Sequence, residues 1–410
     1  MIPPTAPPLL TSRRVLTRSG VLCLALVLPA VVLRIGGLSP APLVAALLYG
    51  AAVVAASFLL AWTAEAAQVD ISGGLAIAIL AFIAVLPEYG VDLSYAYTAG
   101  HDPAYVQYAA ANMTGSNRLL LGAGWPVVVL VSLWAARTLG RGSTSRLRLD
   151  RSNRLELAFL LVASVAAFIM PITGQIHLLL GIALLAWFGC YAWRLAHGEV
   201  GEPHLIGTAA ALGTLPRRTR RLVVPAVMAM AAIVVLVAAE PFAHSLVDTG
   251  KRLGINEFLL VQWVAPLASE APEFIVAILF ARRGRGHVAM ATLISSKVNQ
   301  WTLLVGSIPL AYLAGGGGSS LPLDHRQVEE ILLTATQTLM GIALVLSLRV
   351  GRRSAWLLLV LFAVQFPISG QQGRLVLAAV YSAIALAVLV PRRRELAATV
   401  RTLWQPRSRP

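Results

Sequence analysis

Five ionisable side chains lie far inside otherwise apolar stretches of this chain: Glu88, Asp92, Glu270, Glu273 and Lys297. Glu88 and Asp92 are four residues apart, and Glu270 and Glu273 three, so each pair shares one face of a helix. Four carboxylates against one ammonium leave a focus of negative charge that a metal cation, protons or both can neutralise. Pro87 and Pro272 each stand immediately before a glutamate. Proline has no N–H to donate four residues back, so the carbonyls of Ile83 and Ala268 are expected to be freed. Hard cations take oxygen ligands. The carboxylates, these carbonyls and the polar groups of Ser116, Ser269, Ser296 and Gln300 supply that chemistry.

The elements that hold these groups are membrane helices. The 410 residues are 58% apolar and 12% charged, with a mean hydropathy of +0.76. A soluble domain averages roughly 45–50% apolar and about 25% charged, which excludes an ordinary water-soluble enzyme. Apolar runs bounded by Arg, Gly and Pro predict spans near 19–38, 42–64, 72–98, 105–137, 155–170, 176–196, 222–248, 257–281, 288–313, 328–348, 354–370 and 373–390. The expected fold is therefore all-α and polytopic, with about 12 transmembrane helices. At about 1.5 Å per residue, Glu88 lies roughly 15 Å and Glu273 and Lys297 roughly 12 Å inside a hydrocarbon core about 30 Å thick. A charge at that depth costs on the order of 2.5–3.5 kcal/mol, and such residues usually line a polar pathway. A network serving only to pin helices together could use Ser or Thr instead.

Basic residues set the expected orientation. Alternating the spans places 26 Lys and Arg residues on the side of the N-terminus and only four on the other, which puts both termini in the cytoplasm. The net charge of +15 follows from this loop bias and needs no nucleic-acid partner. Arg13, Arg14 and Arg18 before an apolar run resemble a signal peptide, but residues 38–42 make a poor cleavage site and another span follows at once. The location expected is a plasma membrane, such as a bacterial inner membrane. Cys23 and Cys190 both fall in apolar runs, so no disulfide framework or thiolate metal cluster is expected.

The two halves repeat. Leu86-Pro87-Glu88 matches Ala271-Pro272-Glu273, Gly115-Ser116-Asn117 matches Ser295-Ser296-Lys297, and Leu149-Asp150 with Glu156 matches Leu323-Asp324 with Glu330. The Pro-Glu helices are the third and eighth spans, five span steps apart, and five is odd, so the copies cross the bilayer in opposite directions. The organisation read from this is a basic N-terminus and peripheral helix (1–41), a first five-helix repeat (42–196), a basic linker (197–221), an inverted second repeat (222–371), and a peripheral helix with a basic tail (372–410). Gly315 to Gly318 with two serines reads as a flexible external linker.

Only two of the 33 basic residues are lysine, and one of them is Lys297. An ammonium can lose its proton when desolvated, whereas a guanidinium cannot. Lys297 reads either as a fixed or proton-switchable counter-charge, or as a structural partner of Glu270 or Glu273. The helix face bearing Trp301 reads as packing. Neither a nucleophile elbow, nor a phosphate-binding glycine loop, nor a histidine metal spacing is present in the sequence.

This pattern resembles the cation/Ca²⁺ exchanger superfamily, whose sodium/calcium exchangers carry Gly-Thr-Ser-Leu-Pro-Glu on one helix and Gly-Ser-Asn-x-x-Asn on the next, in two inverted copies. Here the second copy reads Ala268-Ser269-Glu270-Ala271-Pro272-Glu273, then Ser295-Ser296-Lys297-Val298-Asn299-Gln300. The first reads Ile83-Ala84-Val85-Leu86-Pro87-Glu88, then Gly115-Ser116-Asn117-Arg118-Leu119-Leu120. The resemblance covers roughly 42–370. It implies alternating access, Glu88 and Glu273 as central Ca²⁺ ligands, and Ser116, Asn117, Ser269, Ser296 and Gln300 as ligands or Na⁺-site residues. It also implies departures. Ala84, Val85 and Leu120 replace a hydroxyl pair and an amide, Glu270 replaces a serine, and Lys297 replaces an asparagine, so a three-sodium cycle is doubtful and proton coupling gains weight.

The function expected is thus a secondary-active antiporter that moves Ca²⁺ or another metal cation in exchange for H⁺ or Na⁺. The partners expected are inorganic cations and the lipid bilayer, with no cofactor beyond the transported ion and the oligomeric state open. The alternatives are a membrane-embedded metal-dependent enzyme, Na⁺/H⁺ exchange without Ca²⁺, and a non-transporting scaffold or sensor.

Overall fold

The computed structural model describes residues 9–71, 86–139, 145–197, 205–368 and 370–405. The helices are α1 (Leu9–Ile35), α2 (Pro42–Ala67), α3 (Leu86–Ala99), α4 (Val106–Leu119), α5 (Trp125–Thr138), α6 (Asn153–Ala166), α7 (Ile169–Thr173), α8 (Leu178–Ala196) and α9 (Gly207–Gly213). They continue with α10 (Arg217–Leu253), α11 (Glu257–Arg282), α12 (Gly286–Asn299), α13 (Val305–Ala314), α14 (His325–Val345), α15 (Arg352–Val364), α16 (Gln371–Leu389) and α17 (Arg393–Arg401). Among the described residues nine helical segments are long and apolar enough to cross a membrane. The part of the predicted span 72–98 that precedes Leu86, residues 72–85, lies outside the described residues.

The chain divides into two compact units, Met1–Ser94 with Ala192–Pro272, and Tyr95–Tyr191 with Glu273–Pro410. Each unit draws on both sequence halves. In the first unit α2 packs along the 37-residue α10, where Gly50 accepts the ring of Phe242. A small apolar core of Ala64, Ala66, Ala67, Leu212 and Val224 closes the end of α2 against α9 and the start of α10. Helix α10 begins at Arg217 rather than near 222, and α9 forms inside the segment read as a linker. The reason is tertiary: the Arg220 guanidinium forks onto both carboxylate oxygens of Asp70, at 2.6 and 3.0 Å, which draws basic residues into helix.

The second unit contains two short antiparallel ribbons that the apolar pattern did not reveal. Strand β1 (Arg146–Arg148) pairs with β4 (Arg349–Gly351), and β2 (Gln175–His177) with β3 (Ser320–Pro322). Strand β1 leads into α6 and β4 follows α14, while β2 follows the α6–α7 segment and β3 leads into α14. The start of α6 is therefore tied to the end of α14, and the end of the α6–α7 segment to the start of α14. These helices carry the repeat-matched Glu156 and Glu330, and they run in opposite directions, as inverted repeats require. Helix α14 starts with a capping box in which Asp324 and Gln327 satisfy each other's backbone N–H groups.

The glycine run after α13 packs closely at Gly315, while Gly316 and Gly318 are exposed. A side chain at Gly315 would collide with the backbone carbonyl of Tyr97, the Gly315 carbonyl meets His101 Nδ1 at 3.3 Å, and Gly316 takes φ +95°. Glycine is used here for close approach and for a left-handed backbone.

Candidate functional site

In the second unit α4 and α12 carry the repeat-matched polar triplets, and each runs straight into one π-helical turn, at Leu120–Gly124 and Gln300–Leu304. The two wide turns occupy matched positions. A π turn adds a residue to the helical ladder and re-aims the side chains around it, a device common at functional sites. The apolar pattern held no sign of either.

Glu273 sits partly buried on α11, and Ser296 Oγ donates to its Oε2 at 2.6 Å. One residue further, Lys297 is fully buried. Its Nζ donates to Asn117 Oδ1 at 2.8 Å and also to the Asn117 backbone carbonyl. Its ammonium lies 5.8 Å from the Trp301 ring centroid, a cation–π distance. Trp301 is itself completely buried and donates from Nε1 to Thr338 Oγ1 at 3.0 Å, in keeping with a packing role. Gln300 is buried as well, and the Ser116 hydroxyl is buried with no hydrogen-bond partner among the described residues.

Glu88, Asp92, Glu270 and Ser269 belong to the first unit, and all four are buried. Glu88 lies in the first turn of the described part of α3, and Asp92 follows one turn later. Ser269 turns its hydroxyl back to the carbonyls of Ala265 and Pro266 on its own helix, at 3.3 and 3.4 Å. Pro272 lies within α11, so the Ala268 carbonyl lacks its usual donor four residues on. Ile83 lies outside the described residues.

Two charged groupings escaped the sequence reading. Arg118, fully embedded on α4, pairs with Glu330 on α14 at 2.5 Å and donates to Gln365 Oε1 at 3.0 Å. Beside it Arg374 on α16 pairs with Glu329 at 2.8 Å, fastening the last long helix to α14. The signal available was the presence of Arg118 within a predicted span, which requires a buried carboxylate somewhere. In the first unit Asp70 gathers Arg220, Arg221 at 3.3 Å and Arg217 at 3.9 Å. These guanidinium contacts, led by the hydrogen bond from Arg220, hold the Asp70 carboxyl below the usual carboxylate range despite its desolvation.

The family described as "Sodium/calcium exchanger protein" matches residues 41–196 and 223–369. Among solved structures, that of the H⁺/Ca²⁺ exchanger CAX is 40% identical, covers 97% of this chain and 98% of its own, and superposes with a TM-score of 0.89. The structure of native YfkE is 14% identical over 89% of this chain and 99% of its own, with a TM-score of 0.61. A structure of the sodium-calcium exchanger NCX_Mj is 17% identical over 80% of this chain and 98% of its own, with a TM-score of 0.52. The last two share the fold. No curated protein matches the chain.

Proposed function

The chain belongs to the sodium/calcium exchanger family, and we propose on that footing that Glu273 is the centre of its chemistry: a carboxylate that takes up a transported cation and gives it up to a competing one. The protein is a cation/Ca²⁺ antiporter of the secondary-active class. The observation that carries the role of Glu273 is its position within a predicted membrane span, partly open and held by the Ser296 hydroxyl at 2.6 Å. A carboxylate there needs a cation or a proton to neutralise it. Glu88 is its counterpart in the other repeat and is assigned the same role. Asp92, Glu270, Ser116, Asn117, Ser269, Ser296, Gln300 and the backbone carbonyls of Ile83 and Ala268 are proposed as further oxygen donors.

We assign H⁺ as the counter-ion. Ala84, Val85 and Leu120 are apolar where the family places hydroxyls and an amide. Lys297 brings a covalently attached positive charge to Asn117, where a free monovalent cation would be redundant. The 40% identical relative is itself named as an H⁺/Ca²⁺ exchanger, which agrees. The bias of basic residues to the loops on one side supports a topology with both termini on the cytoplasmic side of a plasma membrane.

The test is flux in proteoliposomes loaded with a pH-sensitive dye and challenged in turn with Ca²⁺, Mn²⁺, Na⁺ and K⁺. Ca²⁺-driven proton movement that is absent from Glu273→Gln is expected. Ca²⁺ transport by that variant at the native rate would remove Glu273 from the site, and Na⁺-driven Ca²⁺ movement without any pH change would reassign the counter-ion.

A further inference from the structure

The end of the second unit that carries the β1–β4 ribbon holds a cleft of about 510 Å³. It is lined by Arg146 and Arg148 from β1, Arg349 from β4, Gly286 and His287 from the first turn of α12, and Ser132 from α5. The ribbon register places Arg148 directly opposite Arg349. Like charges facing one another across a strand pair are destabilising unless something neutralises them. Among the described residues no carboxylate pairs with Arg146, Arg148 or Arg349.

The ribbon geometry does not demand these arginines. The repeat-matched ribbon β2–β3 closes the other end of the same helices with Gln175 and His177 facing Pro322 and Ser320, and carries no arginine. The contribution of α12 also has the right sign. Its N-cap, Arg285, makes no side-chain cap, so the first-turn N–H groups of a 14-residue helix open beside the cleft. Such groups favour anions. A side chain at Gly286 would strike Ser132 Cβ at 2.6 Å, so glycine is what allows the start of α12 to pack against α5.

We propose that this cleft binds a phosphate group, supplied by the headgroup of an anionic phospholipid. Three guanidiniums that have no carboxylate partner among the described residues, arranged on one ribbon, match the planar recognition that arginine gives to phosphate oxygens. Ser132 lies six residues before the end of a long apolar helical segment, which sets the cleft near the depth of headgroups, where basic pockets between membrane helices take anionic lipids. This site is separate from the carboxylates of the exchange reaction.

The proposal is tested on the purified full chain in neutral detergent, by thermal unfolding and by retention of lipid in native mass spectrometry. Phosphatidylglycerol is compared with phosphatidylcholine, and inorganic phosphate is compared with chloride at matched ionic strength. Saturable stabilisation by phosphatidylglycerol alone is expected, with an affinity about tenfold or more weaker in Arg148→Gln/Arg349→Gln. Equal stabilisation by inorganic phosphate, again lost in the double variant, would keep the phosphate site but overturn the lipid as its source. Equal responses to both lipids, or an undiminished response in the double variant, would overturn the site itself. Should the double variant fail to fold, Arg146→Gln on the exposed edge of β1 serves the same comparison.

Discussion

Lys297 donates to both the backbone carbonyl and the side-chain oxygen of Asn117, the residue that occupies its own place in the other repeat, 180 positions earlier. An ammonium on a short tether thus sits where two oxygens would suit a small monovalent cation. Lys297→Asn removes the charge and leaves those oxygens available. Transport by this variant is expected to become Na⁺-dependent, whereas Lys297→Met loses the charge without adding a ligand and should be destabilised by about 1–3 kcal/mol through the unpaired oxygens of Asn117. Flux against a Na⁺ titration distinguishes them, and an unchanged ion profile in Lys297→Asn would make the lysine purely structural.

Ser296 is expected to hold Glu273 in a working orientation. Hydrogen bonds to a charged group contribute about 1.5–3 kcal/mol, so Ser296→Ala should weaken apparent cation affinity by roughly 10-fold or more. Ser296→Thr keeps the hydroxyl and should retain most of the affinity. Isotope uptake over a range of Ca²⁺ concentrations measures both, and equal affinities for the alanine and native proteins would dismiss the contact as incidental.

The Arg118–Glu330 pair is a strut in which each charge is buried by the other's presence. Removing one partner strands a buried charge, at a cost of about 3–5 kcal/mol. Arg118→Met should therefore unfold at markedly lower temperature than the native chain, while Arg118→Met/Glu330→Gln should recover a large part of the loss. Additive effects in this double-mutant cycle would contradict the strut.

Helices α8 and α13 meet through a reciprocal glycine contact. A Cβ at Gly306 would reach the Gly181 carbonyl at 2.8 Å, and a Cβ at Gly181 would reach the Gly306 carbonyl at the same distance. Small residues allow this approach where no hydrophobic force drives membrane helices together. Gly306→Ala is expected to cost about 1–3 kcal/mol, read from thermal unfolding in detergent. Native stability in that variant would show that the helices can part at no cost.

The Asp70 clamp gives a pH signature. Its carboxyl titrates below the ordinary range when folded, so the stabilisation is complete above the unfolded value of about 3.9 and fades as pH falls through the lower folded value. The stability difference between the native chain and Asp70→Asn should be constant from about pH 8 to 5 and shrink below about pH 4. Arg220→Gln should show the same profile. A gap that persists in acid would mean that packing, and not charge, makes the clamp.

Apolar runs alone determined that this chain crosses a membrane many times, because about 20 consecutive apolar residues have no other comfortable solvent. The inverted repeat was legible for a related reason. Proline before glutamate and serine in the next helix are costly inside lipid, so their double appearance stood out against an apolar background. The packing partners were not legible. Nothing in the spacing of Lys297 and Asn117 says that a residue bonds its own repeat mate, and Arg118 announced only that a carboxylate must exist, not that Glu330 supplies it. The two ribbons and the close approach of Gly315 to Tyr97 were likewise invisible, since each arises where segments distant in sequence meet. Hydropathy is a property of a stretch of chain, whereas a hydrogen bond, an ion pair or a sub-van der Waals approach is a property of two stretches brought together, and only the tertiary structure pairs them.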